Sequence, residues 1–114
     1  MQPIAPDELP DVIRTYLDAH RARDLDAAVA HLTPDAAVTD EGHTYRGPDQ
    51  IRDWLSRAAS EYSYTIELVG AYRSDERTFD VVHHLEGDFP GGVVDLHFRF
   101  ALRDGRIARL VIEP

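Results

Sequence analysis

The chain has 114 residues, a formal net charge of −9 and 43% hydrophobic residues, which is the size and composition of one ordinary globular domain with room for a core. Cysteine is absent and all 12 basic residues are arginine, which excludes disulfides, a thiol nucleophile, thiolate metal sites and a lysine Schiff base. No apolar run approaches the roughly 18 residues of a membrane span, the start lacks a secretory-signal pattern, and no basic patch suits nucleic acid. The expectation is therefore a cytoplasmic protein without membrane or nucleic-acid partners.

No repeat, linker or low-complexity tract divides the sequence, so a single domain is expected over residues 1–114, with residues 1–6 as a short tail. Leu9, Ile13, Tyr16, Leu17 and His20 recur at helical spacing and predict a helix from Asp7 to about Arg23, with Asp7 as N-cap and Pro10 in the first turn. A shorter helix follows, capped by Asp24, with Leu25, Ala28, Val29 and Leu32 on its apolar side; Thr33-Pro34-Asp35 ends it. Ala36 to Asp40 reads as a short strand with Ala36, Val38 and Asp40 on one face. Glu41-Gly42-His43 turns the chain, Thr44-Tyr45-Arg46 returns, and Gly47-Pro48 opens a third helix with the stripe Ile51, Trp54, Leu55 and Ala58.

From Tyr62 onward the period changes to two. Tyr64, Ile66 and Leu68 share one face of a strand ending near Arg73-Ser74-Asp75. Phe79, Val81, His83 and Leu85 share a face of the next, and Val94, Leu96, Phe98, Phe100 and Leu102 a face of the third. Asp104-Gly105 is a hairpin signal before a closing strand, Ile107 to Glu113. Helices followed by an antiparallel meander make the fold class α+β.

Polar residues on apolar faces are the candidates for chemistry, because an unpaired polar group in a core costs about 1–3 kcal/mol. Asp40 shares its face with Ala36 and Val38. A carboxylate beside an apolar pocket has a raised pKa and can act as a general base; alternatively Asp40 caps backbone N–H groups of its own turn. His83 interrupts Phe79, Val81 and Leu85, either as a satisfied core histidine or as a group that holds a proton or bonds a ligand oxygen. Tyr16 lies on the core face of the first helix, and packing with its hydroxyl at the surface is the simple expectation. His20 is expected at the helix end, where a cation suits the macrodipole. His84 and His97 fall on the opposite sheet face with Asp80, Asp95 and Arg99. No pair of histidines shares a face at ligand spacing, so no metal is expected.

The segments Tyr16-Leu17-Asp18-Ala19-His20-Arg21-Ala22-Arg23-Asp24-Leu25-Asp26, Tyr45-Arg46-Gly47-Pro48-Asp49-Gln50-Ile51-Arg52-Asp53-Trp54-Leu55 and Phe98-Arg99-Phe100 through Ile107 resemble, in order and spacing, the nuclear transport factor 2-like superfamily. That superfamily includes the SnoaL-like polyketide cyclases and the ketosteroid isomerases. The resemblance implies a cone-shaped curved antiparallel sheet with three N-terminal helices enclosing an apolar pocket, and a homodimer formed through the outer sheet face. It places Asp40 at the proton-shuttling aspartate of ketosteroid isomerases and Tyr16 at the tyrosine that donates to the oxyanion. The match then departs: Leu96 stands where the isomerases carry the second oxyanion donor, an acid, and Leu55 where a supporting tyrosine belongs. Loss of one such donor typically costs about 10²–10³ in rate, which disfavours steroid isomerisation itself.

The combined expectation is a cofactor-independent acid–base enzyme of isomerase, cyclase or dehydratase type, acting on a small, mostly apolar carbonyl compound. Asp40 would be the base, with Tyr16 and His83 as donors or acids. Trp54, Tyr64, Phe79, Val81, Phe98, Leu110 and Ile112 would line the pocket. The alternative is a non-catalytic ligand-binding or dimerisation module on the same fold.

Overall fold

The computed structural model describes residues 1–114, the side chains of 59 and 60 excepted. Pro10 decides how the first helix begins. Lacking an N–H, it cannot sit inside a helix, so a 3₁₀ turn over Pro6–Glu8 precedes it and α1 runs Asp11–Ala22, with Pro10 as its N-cap. The expected start at Asp7 is corrected accordingly. α1 ends on Arg23 in the left-handed conformation, φ 59°. Asp24 caps α2 (Leu25–Ala30) by accepting from the Ala27 N–H at 3.2 Å, and α3 runs Gly47–Glu61 from the expected Gly-Pro start.

The strands are β1 (Gln2–Pro3), β2 (Leu32–Asp40), β3 (His43–Arg46), β4 (Tyr64–Asp75), β5 (Thr78–Gly87), β6 (Val93–Arg103) and β7 (Arg106–Glu113). They form one unclosed, curved sheet of seven strands in the order β1-β4-β5-β6-β7-β2-β3. Every neighbouring pair is antiparallel except β2 with β7, which is parallel. Two extensions go beyond the sequence reading. β2 begins at Leu32 rather than Ala36, because a register shift between Leu32 and Ala37 lets the Thr33-Pro34-Asp35 stretch stay in the sheet as a bulge. Residues 2 and 3 are not a free tail: Gln2 and Pro3 pair with Arg73 and Tyr72 at the β4 edge.

The alternating faces are as expected. Ala36, Val38, Phe79, Val81, Phe98, Phe100, Leu110 and Ile112 turn inward and pack with Ile13, Tyr16, Leu17, Ile51, Trp54 and Leu55 from the helices in one core. On the outer face His84 pairs with Asp95 at 2.6 Å, His97 with Asp80 at 2.8 Å, and Arg99 with Glu113. A tight crossing closes the sheet's mouth end. The Asp88 N–H donates to the Ser63 carbonyl at 3.1 Å and the Ser63 N–H to Asp88 Oδ1 at 2.9 Å. That leaves no room at Gly87, where a Cβ would stand 2.4 Å from the Ser63 carbonyl oxygen and 2.6 Å from the Tyr64 Cβ. Gly87→Ala should therefore destabilise the fold by about 1–3 kcal/mol, as overpacking against backbone does; a urea midpoint equal to wild type would show that the crossing yields freely.

Candidate functional site

Inward residues and the rim of the sheet at the mouth end line an open cavity of about 710 Å³. β2 ends here and contributes Asp40; β6 contributes Leu96 and Val94, β5 Leu85, β7 Ile112, and the start of β4 contributes Tyr64. All four charged residues on its wall, Asp40, Glu41, Glu61 and Glu113, are acidic. An anionic ligand would meet only like charge here.

Asp40 is the polar group at the boundary between this cavity and the core. Its Oδ2 accepts from Trp54 Nε1 at 3.0 Å, a bond made possible because α3 packs directly on β2 and puts Trp54 over the strand's end. Burial raises the Asp40 pKa and the nearby Glu61 raises it further, while the Trp54 hydrogen bond pulls it down; the balance is a raised value. A half-buried carboxylate with an elevated pKa and one neutral donor is the state that general-base chemistry requires.

Behind Asp40 lies a buried polar and aromatic cluster. Tyr16 is wholly enclosed, its ring edge-on to Phe100 at 5.9 Å, so its hydroxyl does not reach the surface as expected. It meets His20 Nδ1 at 3.4 Å, a long hydrogen bond. Burial, then the Asp40 charge, raise the Tyr16 pKa, so it stays a neutral donor. His20 does not serve the helix end as a cation. Its ring stands against Trp54 at 6.0 Å and Phe98 at 5.8 Å, and burial, helped by Arg21, lowers its pKa to about 4. His83 stacks edge-on to the other side of the cluster, 4.5 Å from Phe98. Its pKa falls to about 4, through burial first and then the neighbouring His20 and Arg21. His83 Nδ1 is sealed from solvent and has no hydrogen-bond partner.

The three expected chemical residues are thus close in the fold but unequal in access: Asp40 lines the cavity, whereas Tyr16 and His83 stand behind its wall. Of the seven expected wall residues, Tyr64 and Ile112 line it. Phe79, Val81, Phe98 and Leu110 belong to the packed core, and Trp54 acts through Asp40. Sequence reasoning set His20 aside, although its spacing with Tyr16 placed it on the inward stripe. A second, smaller cavity of about 80 Å³ lies between the C-terminal end of α1, α2, α3 and β4, with His20 on its wall. No group of three or more histidine, aspartate or glutamate side chains among the described residues could hold a metal ion. Among the described residues no helix is long and apolar enough to cross a membrane.

A profile for the SnoaL-like domain matches residues 13–110. Among solved structures, a candidate polyketide cyclase from Sinorhizobium meliloti is 36% identical, with a TM-score of 0.88 over 96% of this chain and 100% of its own. A protein of ketosteroid isomerase-like fold from Catenulispora acidiphila, solved with trimethylamine, is 18% identical with a TM-score of 0.78, over 92% of this chain and 85% of its own. A Mycobacterium tuberculosis protein solved with estradiol-17β-hemisuccinate is 14% identical with a TM-score of 0.74, over 90% of each chain. No curated protein matches.

Proposed function

The chain belongs to the SnoaL-like domain family, and on that footing we propose that its mouth cavity is the site of a cofactor-independent acid–base reaction in which Asp40 is the base. The observation that carries this reading is the Asp40 carboxylate itself: raised in pKa, hydrogen-bonded by Trp54 Nε1, and set in the wall of a cavity of about 710 Å³ otherwise built largely from apolar side chains. Such a base takes a proton from carbon beside a carbonyl. The C–H bonding pair moves into the new C=C bond and the carbonyl pair moves onto oxygen. The proton held on Asp40 is then returned to another carbon, giving isomerisation, or goes to a leaving hydroxyl that departs as water, giving dehydration; alternatively the enolate carbon attacks a second carbonyl and the alkoxide formed there takes the proton from Asp40, giving cyclisation.

In this reading Tyr16 and His83, both held neutral, are the donors on the interior side, a role that requires the substrate to reach past the wall residues that separate them from the cavity. The acidic wall restricts the substrate to neutral or cationic compounds. The small ligands seen with the Catenulispora and Mycobacterium proteins accord with a ligand-sized cavity. A homodimer through the outer sheet face is part of the same proposal, readable by light scattering.

A non-catalytic ligand-binding module is the second reading, favoured by one observation: neither Tyr16 nor His83 lines the cavity. Carboxyl-carbon NMR titration of Asp40, assigned with Asp40→Asn, separates the two. The acid–base reading expects a pKa above the ordinary value of roughly 3.9, and a further rise in Trp54→Phe, because the donor that stabilises the charged form is gone. A value at or below the ordinary one, unmoved by Trp54→Phe, leaves Asp40 a solvated turn residue and hands the cavity to the binding module.

A further inference from the structure

The buried pair Tyr16–His20 has its own way out of the protein. Tyr16 is fully enclosed and its hydroxyl meets, among the described residues, only His20 Nδ1, at 3.4 Å. The His20 ring, in contact with Trp54 and Phe98, lines the small cavity at the end of α1, a cavity whose wall does not include Asp40. Its second nitrogen, Nε2, has no protein partner among the described residues. His20 as a whole is only partly buried and lines that cavity. The small cavity, about 80 Å³, exceeds the roughly 10–15 Å³ that a cavity needs to hold one water. Among the described residues the two cavities share only Ala58 and Tyr64 as walls.

We propose that His20 is a relay residue linking the Tyr16 hydroxyl to solvent through the small cavity, so that protons reach and leave Tyr16 without crossing the ligand cavity. The use of this port rests on the acid–base reading of the site: with a substrate filling the mouth, a donor buried behind it needs a second route for its proton. In outward transfer the Tyr16 O–H proton passes to His20 Nδ1 while the Nε2–H proton passes to water in the small cavity. In inward transfer water protonates Nε2 and the Nδ1 proton returns to the Tyr16 oxygen. Outward transfer leaves a tyrosinate and a hydronium ion, and the inward transfer that follows neutralises both, so that one complete exchange carries no net charge. The imidazole suits a carrier rather than a store, because burial and the adjoining Arg21 keep its protonated form scarce at neutral pH.

The test follows the hydroxyl exchange in the free protein, with tyrosine labelled at ¹³Cζ in an equal mixture of H₂O and D₂O and Tyr16→Phe identifying the resonance. Rapid exchange gives one averaged Cζ line, and slow exchange gives two lines separated by the isotope shift. Wild type should give one line; His20→Phe, which keeps an aromatic ring in the cluster, should give two, an exchange at least about tenfold slower. Leu25→Trp, which fills the small cavity from its α2 wall, should also slow exchange, and Val94→Trp, which fills the ligand cavity, should not. Two lines already in wild type, one line in His20→Phe, or slowing by Val94→Trp would each overturn the port. Should His20→Phe fail to fold, Leu25→Trp against Val94→Trp decides alone. Because no turnover is measured, failure of the port leaves the Asp40 titration to judge the acid–base reading separately.

Discussion

Asp40→Asn is expected to slow proton abstraction by about 10²–10⁴-fold, the span that a positioned general base contributes. The measurement is deuterium uptake beside the carbonyl of small cyclic ketones, followed by proton NMR in D₂O. Asparagine keeps the side-chain shape and an oxygen that can accept from Trp54 Nε1, so the cavity should survive while the basic lone pair is lost. Uptake by the variant within a factor of two of wild type would remove Asp40 from the chemistry. The size of the expected effect follows from the environment of the carboxylate. Burial and Glu61 raise its pKa, which strengthens it as a base, while the Trp54 hydrogen bond limits the rise.

The second large effect is loss of stability in acid. His20 and His83 have folded-state pKa values of about 4, against an ordinary value of roughly 6.5. Between these values the unfolded chain binds protons that the folded chain refuses, so stability is full above about pH 6.5 and falls as the pH drops toward 4. Each histidine contributes a loss on the order of 3 kcal/mol at most, the two being neighbours whose effects do not simply add. Asp40 acts in the opposite sense. Its pKa is raised by folding, so its contribution is present at low pH and lost as pH rises through the folded value; it offsets part of the histidine loss. Urea unfolding at pH 7.5 and pH 4.5 should show a marked drop in midpoint with an unchanged slope. His83→Leu should lessen the drop and cost little at pH 7.5, because it replaces a buried nitrogen that has no partner. A pH-independent midpoint in wild type would mean that the imidazoles are hydrated. Keeping an unpaired buried nitrogen where leucine would pack is itself an argument that His83 serves the site rather than the core.

Much of this arrangement was legible beforehand. Alternation identified β4 to β7, and the Gly47-Pro48 start placed α3 and its stripe, with Ile51, Trp54 and Leu55 buried as expected. The anomaly of a carboxylate following Ala36 and Val38 singled out Asp40, the residue that lines the cavity. His20 was misjudged because two local arguments disagreed: helical spacing put it with Tyr16 on the inward stripe, while the macrodipole favoured a cation at the helix end. Burial against Trp54 and Phe98 outweighs a surface charge effect of about 0.3–1 kcal/mol. The parallel β2–β7 pairing and its bulge had no short-range signal, since they join segments some 70 residues apart.

What the sequence determined by itself is the type of the longer elements and the face most of their residues present, because periods of 3.6 and 2 are properties of the local backbone and survive any tertiary arrangement. Which inward residues meet a void and which meet other side chains was decided only by the tertiary structure. Phe98 and Ile112 are cross-strand neighbours with the same alternation, yet Phe98 is packed between His20 and His83 while Ile112 faces the cavity. A cavity is the space left where helices and a curved sheet fail to meet, and its position depends on the angle at which distant segments pack rather than on the character of any one of them.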